Sequence, residues 1–412
     1  MSRRNLVITV FEHQRLAVGD LSFGQVFEPK HWNTLRQMHA SLPLPYYTLT
    51  HRGIKLSHYV GVLKTPEFVL EILPKADAHP QPSPPVWRHL LVDMIAECKY
   101  LSFRPQRQAV SSLAAECLLD FFLSDFLVEV EQLCQRGLIR QYRTVDENAR
   151  SATGQLLFAQ QLRHNAVHQE RFFIRHQRHT TQHQLHHLLK QALLIVARVS
   201  HHPRIRQRSQ QLLHYFVNIH DTFASILNAP LHYNRQTEAY RTAVTVAQQI
   251  LASSFAHVYH GATYQGFALL FDMNQVFEDF VYQRLRRLSS SHGFTVHRQT
   301  SRSLWGKTKV RPDIVVELPD GGGNVVIDTK WKTLTSHRPA AQDLHQLYVY
   351  NQLFQARRGI LLYPDVHQLA AQRRPFEGPG RSHAQIDFIT IADDERTGLN
   401  PSLDESLLRL LR

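Results

Sequence analysis

Apolar residues recur along this chain with two rhythms that divide it into three stretches. Near the start they form short β-branched runs, and Leu6–Glu12, His58–Leu63 and Glu67–Leu73 are predicted strands. A helix-like stretch over 30–40 lies between the first two, and 59–77 reads as a hairpin turning at Thr65-Pro66. The proline-rich stretch 74–87 predicts an extended, exposed linker. From Trp87 to about Ala262 the rhythm becomes helical. Leu113, Leu118, Leu119, Phe122, Phe126, Val130 and Leu133 mark a helix within 111–136, with Gly137 placed as its C-terminal cap. Further helices are predicted at 183–199, 205–228 and 236–258, after a β-like interruption at Gly154–Gln161 and Glu170–Arg175.

The last third mixes both rhythms. Val276, Phe277, Phe280, Val281 and Leu285 keep helical spacing through 273–285, with Glu278 at the edge of the stripe. Ile314–Leu318 is a β-branched run, Pro319-Asp320-Gly321-Gly322-Gly323 turns it, and Asn324–Lys332 climbs back as a second strand. An amphipathic helix over 343–354 and a buried strand from Gly359 to Pro364 follow. The expectation is an α+β multidomain chain: a β-rich partner-binding domain over 1–80, a mainly helical basic domain over 81–262, and an α/β domain over 263–412.

Charge narrows the function classes. The 412 residues carry a net +13 before any of 27 histidines is counted, which suggests a polyanionic partner, nucleic acid first. Surface charge kept for solubility is the plainer alternative. The densest segment, 160–220, holds eleven histidines and nine Lys or Arg against one acid, Glu170. His179, His183 and His187 recur every four residues, so one helix face could carry a ladder of metal ligands. A solvated basic face that follows a DNA backbone or docks on a partner explains the run more simply. Three cysteines, Cys98, Cys117 and Cys134, lack metal-site spacing and read as reduced, buried residues of a cytoplasmic protein. No apolar run approaches the ~20 residues that span a bilayer, so no membrane association is expected. Gly306-Lys307-Thr308 ends like a phosphate-binding loop, but Ser301 stands where its first glycine belongs. Any motor the chain needs is therefore another protein.

The chemistry concentrates in Arg311–Lys332. Asp313 opens the first strand of the hairpin, while Asp328 and Lys330, two apart, project from one face of the second. Folding about 319–323 brings Asp313 roughly opposite Asp328. Two carboxylates at a strand end suit Mg²⁺, which keeps several waters and takes phosphate oxygens. A neighbouring lysine can orient the attacking water and offset charge on the phosphorane. Pro312-Asp313 followed by Asp328-Thr329-Lys330 resembles the PD-(D/E)xK nuclease superfamily. That resemblance implies an endonuclease-like core, one or two Mg²⁺ ions (Mn²⁺ able to substitute), and a glutamate from the preceding helix, here Glu278. It also implies a Q-x-x-x-Y element beside the site, here Gln346 and Tyr350.

Several stretches in order resemble the McrC family, the nuclease subunits of McrBC-type, modification-dependent restriction systems. They are Gly61-Val62, Leu70-Glu71-Ile72-Leu73-Pro74-Lys75, Arg136-Gly137-Leu138 with Arg140 and Tyr142, Phe277-Glu278 with Phe280-Val281, Arg311-Pro312-Asp313, and Asp328-Thr329-Lys330-Trp331-Lys332. One departure is His186-His187 before Leu188-Leu189-Lys190, where the family often has an Asn-Arg pair. The resemblance implies a hexameric McrB-like AAA+ GTPase partner, engaged through the N-terminal half, and cleavage of duplex DNA carrying 5-methylcytosine-type modifications. On this reading Asp313, Asp328 and the Thr329 carbonyl hold metal, Lys330 positions water, Glu278 assists, and Gln346 and Tyr350 orient a water or phosphate. Arg311 and Lys332 are candidate phosphate contacts or else solvated strand-end charges, and Trp331 and Tyr348 belong to the core or its edge. Two other readings stay open: a basic adaptor with a decayed site that only stimulates the partner NTPase, and a repair or recombination nuclease paired with a helicase.

Overall fold

The computed structural model describes residues 6–75, 83–98, 117–219, 230–259, 262–319, 321–334, 338–367, 369–377, 382–393, 395 and 398–412; side chains of 256–259 and 262–265 are not described. The chain forms two compact units, one built from Met1–Phe121 with Ser254–Arg412 and the other from Phe122–Ser253.

The first unit contains two principal sheets. One has five strands in the order Leu6–Phe11, Phe68–Leu73, Tyr59–Lys64, Ala262–Asp272 and Ser254–Tyr259. Its first pair is parallel and the others are antiparallel. The expected hairpin therefore forms over Tyr59–Leu73, with Thr65 closing its turn by hydrogen bonds to Phe68. Gly61, at φ +131°, lies so close to the neighbouring strand that a Cβ there would fall 2.2 Å from the Leu269 carbonyl oxygen, so no larger residue fits. Glu71, fully buried in this sheet, accepts from Thr9 Oγ1 at 2.9 Å, Arg88 Nε at 2.8 Å and the Leu118 amide at 3.0 Å. Its charge is paired and its lone pairs are used.

The second sheet has six strands, ordered Thr295–Arg298, Ile314–Glu317, Asn324–Thr329, Ala356–Pro364, His383–Ile389 and Gln372–Pro375. The helices Met273–His292 and Ala341–Leu353 pack against it. Gly359 lets the second helix come close: a Cβ would lie 2.5 Å from Asn351 Oδ1 and 2.7 Å from Leu347 Cγ.

The second unit includes most of helix Leu118–Arg136, then helices Gln184–Val199, Pro203–Leu213 and Arg241–Ala252, and a sheet built mainly from Gln141–Ala149 and Phe172–Thr180. Gly137 follows the first helix with φ +84°, as a C-terminal cap requires.

Four expectations are corrected. Pro84 and Trp87 belong to helix Pro84–Glu97 and not to an exposed linker; proline tolerates the first helical turn, and Trp87 is buried. The helix expected over 236–258 stops at Ala252, and Ser254–Tyr259 is a strand paired with Ala262–Asp272. Residues Phe158–Asn165 are helical, and Gln141–Ala149, read as part of a helical stretch, is a strand. That strand is solvated and held by cross-strand pairs such as Arg175–Asp146 at 2.7 Å, so no apolar alternation announces it. Finally, the histidine ladder does not share a helix face. His179 is on a strand, His183 caps the following helix by accepting from the Leu185 amide at 3.2 Å, and only His187 lies inside it. Neighbouring His186 is buried, with Nδ1 2.7 Å from the Thr181 carbonyl and Nε2 3.1 Å from Tyr240 Oη; burial pushes its pKa down to about 4. The expected segments 76–82, 111–116 and 220–229 lie outside the described residues.

Candidate active site

The carboxylate hairpin pairs Ile314 with Ile327 and Glu317 with Asn324, closed by the Gly322 amide on the Pro319 carbonyl at 3.0 Å. Continuing that register by one position sets Asp313 opposite Asp328. Asp313 Oδ2 crosses the strand end to accept from the Thr329 amide at 2.7 Å and Thr329 Oγ1 at 2.9 Å. Val326, Asp328 and Lys330 share one face by strand alternation. The Ala341–Leu353 helix lies over that face, with Val326 packed among Tyr350 and Phe354. Lys330 Nζ is 2.7 Å from Asp328 Oδ2 and 3.9 Å from Asp343 Oδ1.

Asp328 is only 2% exposed. Burial first, and then the nearby Asp313 charge, push its pKa up to about 7, while Lys330 pulls it back. Burial raises Asp313 too, against its Thr329 bonds and the Lys330 charge. For Lys330, burial works against the ammonium, but Asp328, Asp313 and Asp343 outweigh it and hold the pKa above the usual lysine value. The lysine is therefore a fixed cation and donor.

Glu278 is buried on the Met273–His292 helix, where Oε1 accepts from Gln299 Nε2 at 2.7 Å and Arg298 Nε at 3.3 Å. Its pKa is raised by burial and then by the charge of Asp313, which places it within electrostatic reach of the pair. Gln346 donates to Tyr350 Oη, which donates to the Arg311 carbonyl at 3.1 Å. The Q-x-x-x-Y pair thus latches the backbone two residues before Asp313. The Arg311 side chain is exposed, and Lys332 Nζ sits 2.6 Å from Asp343 Oδ2. Trp331 is buried, edge-on to Phe277 at 5.2 Å. Tyr348 is half-buried and edge-on to Phe376.

Asp343, which binds both lysines, is absent from the sequence expectations. Its spacing was a usable signal, because positions 343, 346 and 350 fall on one helical face. Gln299 and Arg298 carried no signal, since strand pairing alone brings them to Glu278.

Among the described residues, no three His, Cys, Asp or Glu side chains form a ready metal cage. The donor set at the hairpin is instead a buried carboxylate, Asp328, and a half-buried one, Asp313, beside a backbone strand end. Such a hard-oxygen pair fits Mg²⁺, which needs few protein ligands, and a divalent cation would relieve the Asp313 repulsion that, after burial, lifts the Asp328 pKa.

A carboxylate hairpin with a strand lysine, latched by a helical Gln-Tyr pair, defines the class to which this chain's fold and site belong. Residues 54–364 match the model of the McrBC 5-methylcytosine restriction system component family, well over half the chain, and the chain belongs to that family. The resemblance to McrC is thereby borne out. The fold is similar to a chain in the refined half-complex from a tetradecameric assembly of Thermococcus gammatolerans McrB AAA+ hexamers with bound McrC. The TM-score is 0.72 at 18% identity, covering 98% of this chain and 99% of that one. A chain of the Thermococcus gammatolerans McrBC complex gives a TM-score of 0.52 at 19% identity, covering 68% and 87%. No curated protein matches the chain. The three cysteines are free and buried, and no described helix is long and apolar enough to cross a membrane.

Proposed function

We propose that this restriction-system component is a metal-dependent endodeoxyribonuclease, working in the cytoplasm with an McrB-like AAA+ GTPase hexamer on modified duplex DNA. The observation that carries the reading is Asp313 beside Asp328 with Lys330 paired to the latter, on adjacent strand ends. Asp313, Asp328 and the Thr329 carbonyl are the groups to hold Mg²⁺, which supplies charge stabilisation and acidifies water. Lys330 donates to the attacking water and then to the non-bridging oxygen on which charge builds. Water oxygen bonds to phosphorus and releases a proton to solvent as the bond to the leaving ribose oxygen breaks, and that oxygen takes a proton from solvent. Glu278, with its raised pKa, is a further carboxyl to relay one. Gln346 and Tyr350 orient the site by fixing the Arg311 backbone. The choice of partner is supported by the chain of similar fold, which is assembled with McrB AAA+ hexamers.

The test is restriction in cells. Phage with 5-methylcytosine DNA should plate poorly on cells expressing this chain with its AAA+ partner, and normally when Asp328→Ala or Lys330→Ala replaces it. Full protection by either variant would contradict the nuclease reading and favour a basic adaptor.

A further inference from the structure

Immediately before the carboxylate hairpin, Arg302–Trp305 and Thr308–Val310 pair as a small antiparallel ribbon turning at Gly306-Lys307. All of its residues except Val310 are exposed. Its tip carries Trp305, 85% exposed, beside Leu304 at 48%. A large aromatic ring standing in water on a two-stranded ribbon finds no folding benefit there and is characteristic of a contact surface. The accompanying charges have one sign. Arg302, Lys307, Lys309 and Arg311 lie within six residues of the tryptophan in sequence, and the sequence from Phe280 through Pro312 contains no Asp or Glu.

The root of the ribbon is fixed to the candidate site. The Arg302 guanidinium lies over the Phe354 ring at 4.8 Å and donates to the Leu353 carbonyl. Val310 packs against the cluster of Val315, Val326 and Tyr350. The Gln299 amide, just ahead of the ribbon, donates to the Asp313 carbonyl at 2.9 Å. From Thr308 to Asp313 the chain spans at most ~17 Å at strand spacing. That is about five base-pair steps of a duplex at ~3.4 Å each.

Resting on the nuclease reading, we infer that this ribbon is a duplex-DNA contact surface: Lys307 and Lys309 meet backbone phosphates, and Trp305 lays its indole against a deoxyribose a few base pairs from the phosphate held at Asp313 and Asp328. The complementarity is that of a basic, aromatic-tipped ribbon for a polyanion whose apolar sugar faces lie between its phosphates. No base-edge readout is implied, and the contact is independent of sequence.

The test uses the full chain, a labelled unmodified duplex without Mg²⁺, and the exposed-site variants Trp305→Ala and Lys307→Ala/Lys309→Ala. Trp305→Ala, which removes one large aromatic contact, is expected to weaken binding about tenfold. The double lysine variant should flatten the slope of log affinity against log salt by about 2. With Mg²⁺, the AAA+ protein and GTP, both should raise KM for DNA and leave kcat and GTPase stimulation unchanged. Wild-type affinity and salt slope in both variants would overturn the inference. So would loss of AAA+ binding with DNA affinity intact, which would make the ribbon a protein contact. A wild-type chain that binds DNA through the ribbon yet never cuts would uphold the surface and fault the nuclease reading alone.

Discussion

Trp331 Nε1 donates to Glu12 Oε1 at 2.6 Å, joining the residue after the candidate lysine to the end of the first strand. The same oxygen accepts from the Lys75 amide at 3.2 Å, so one buried carboxyl ties together the starting strand, the Leu-Pro-Lys end of the Phe68–Leu73 strand and the Asp-Thr-Lys-Trp-Lys stretch. Burial pushes the Glu12 pKa up to about 8, with Trp331 and the Lys75 amide pulling against it. Glu12→Gln keeps an acceptor for the indole and should retain cleavage. Glu12→Leu orphans a buried N–H at a cost of about 1–3 kcal/mol, and cleavage per folded molecule should fall roughly tenfold or more by displacing Lys330. Thermal melts and single-turnover cutting check both; equal rates in the two variants would remove Glu12 from the positioning of the site.

Asp328→Asn should abolish cutting while making the protein, stripped of divalent metal, more stable at neutral pH. The folded-state pKa of Asp328 is raised from 3.8 to about 7, so its stabilising contribution is complete below the unfolded value. That contribution is lost as pH rises through the folded value. The gain from Asn should therefore be absent near pH 4 and full above pH 7, read as a Tm increase of about 2–4 °C per kcal/mol of relief. Mg²⁺ should raise the Tm of wild type and leave that of Asp328→Asn unchanged. A variant that melts lower than wild type at pH 8 would show that Asp328 is not a strained, buried carboxylate.

Asp343→Asn removes the anion that Lys332 meets at 2.6 Å and Lys330 approaches at 3.9 Å. Lys332 is partly exposed, so stability should change by no more than about 1 kcal/mol. Cleavage should nevertheless fall about tenfold or more, because Lys330 loses one of its two anchors. Unchanged single-turnover rates would make Asp343 a bystander.

Glu71 and Arg88 form a buried pair whose loss should be structural. Arg88→Met leaves Glu71 without its guanidinium and should cost about 3–5 kcal/mol. Chemical denaturation measures it; a loss below about 1 kcal/mol would mean that Thr9 and the Leu118 amide suffice to hold the charge.

The elements around the site were legible because local and tertiary signals agree there. Glycine-rich turn chemistry, β-branched runs and helical stripes all pointed to the arrangement later seen over 273–292, 314–329, 341–353 and 356–364. Elsewhere pairing partners decided. Ala262–Asp272 sits in the sheet of the first strands only because Gly61 admits it, a fact spread over some two hundred residues of sequence. The ribbon Gln141–Ala149 with Phe172–Thr180 is held by ion pairs between solvated strands, and hydrophobic period carries no trace of it. At the site, Asp313, Asp328 and Lys330 could be read from spacing, whereas Asp343 and Glu12 act through contacts that only the folded chain creates.

The most direct test is Mg²⁺-dependent cleavage of methylated and unmethylated plasmid by wild type and Asp328→Ala, with and without the AAA+ partner and GTP. Cutting of methylated plasmid that requires Mg²⁺, Asp328, the partner and GTP is the expected result. Undiminished cutting by Asp328→Ala, or none by wild type under any of these conditions, would contradict the assignment of Asp313, Asp328 and Lys330 as a nuclease site.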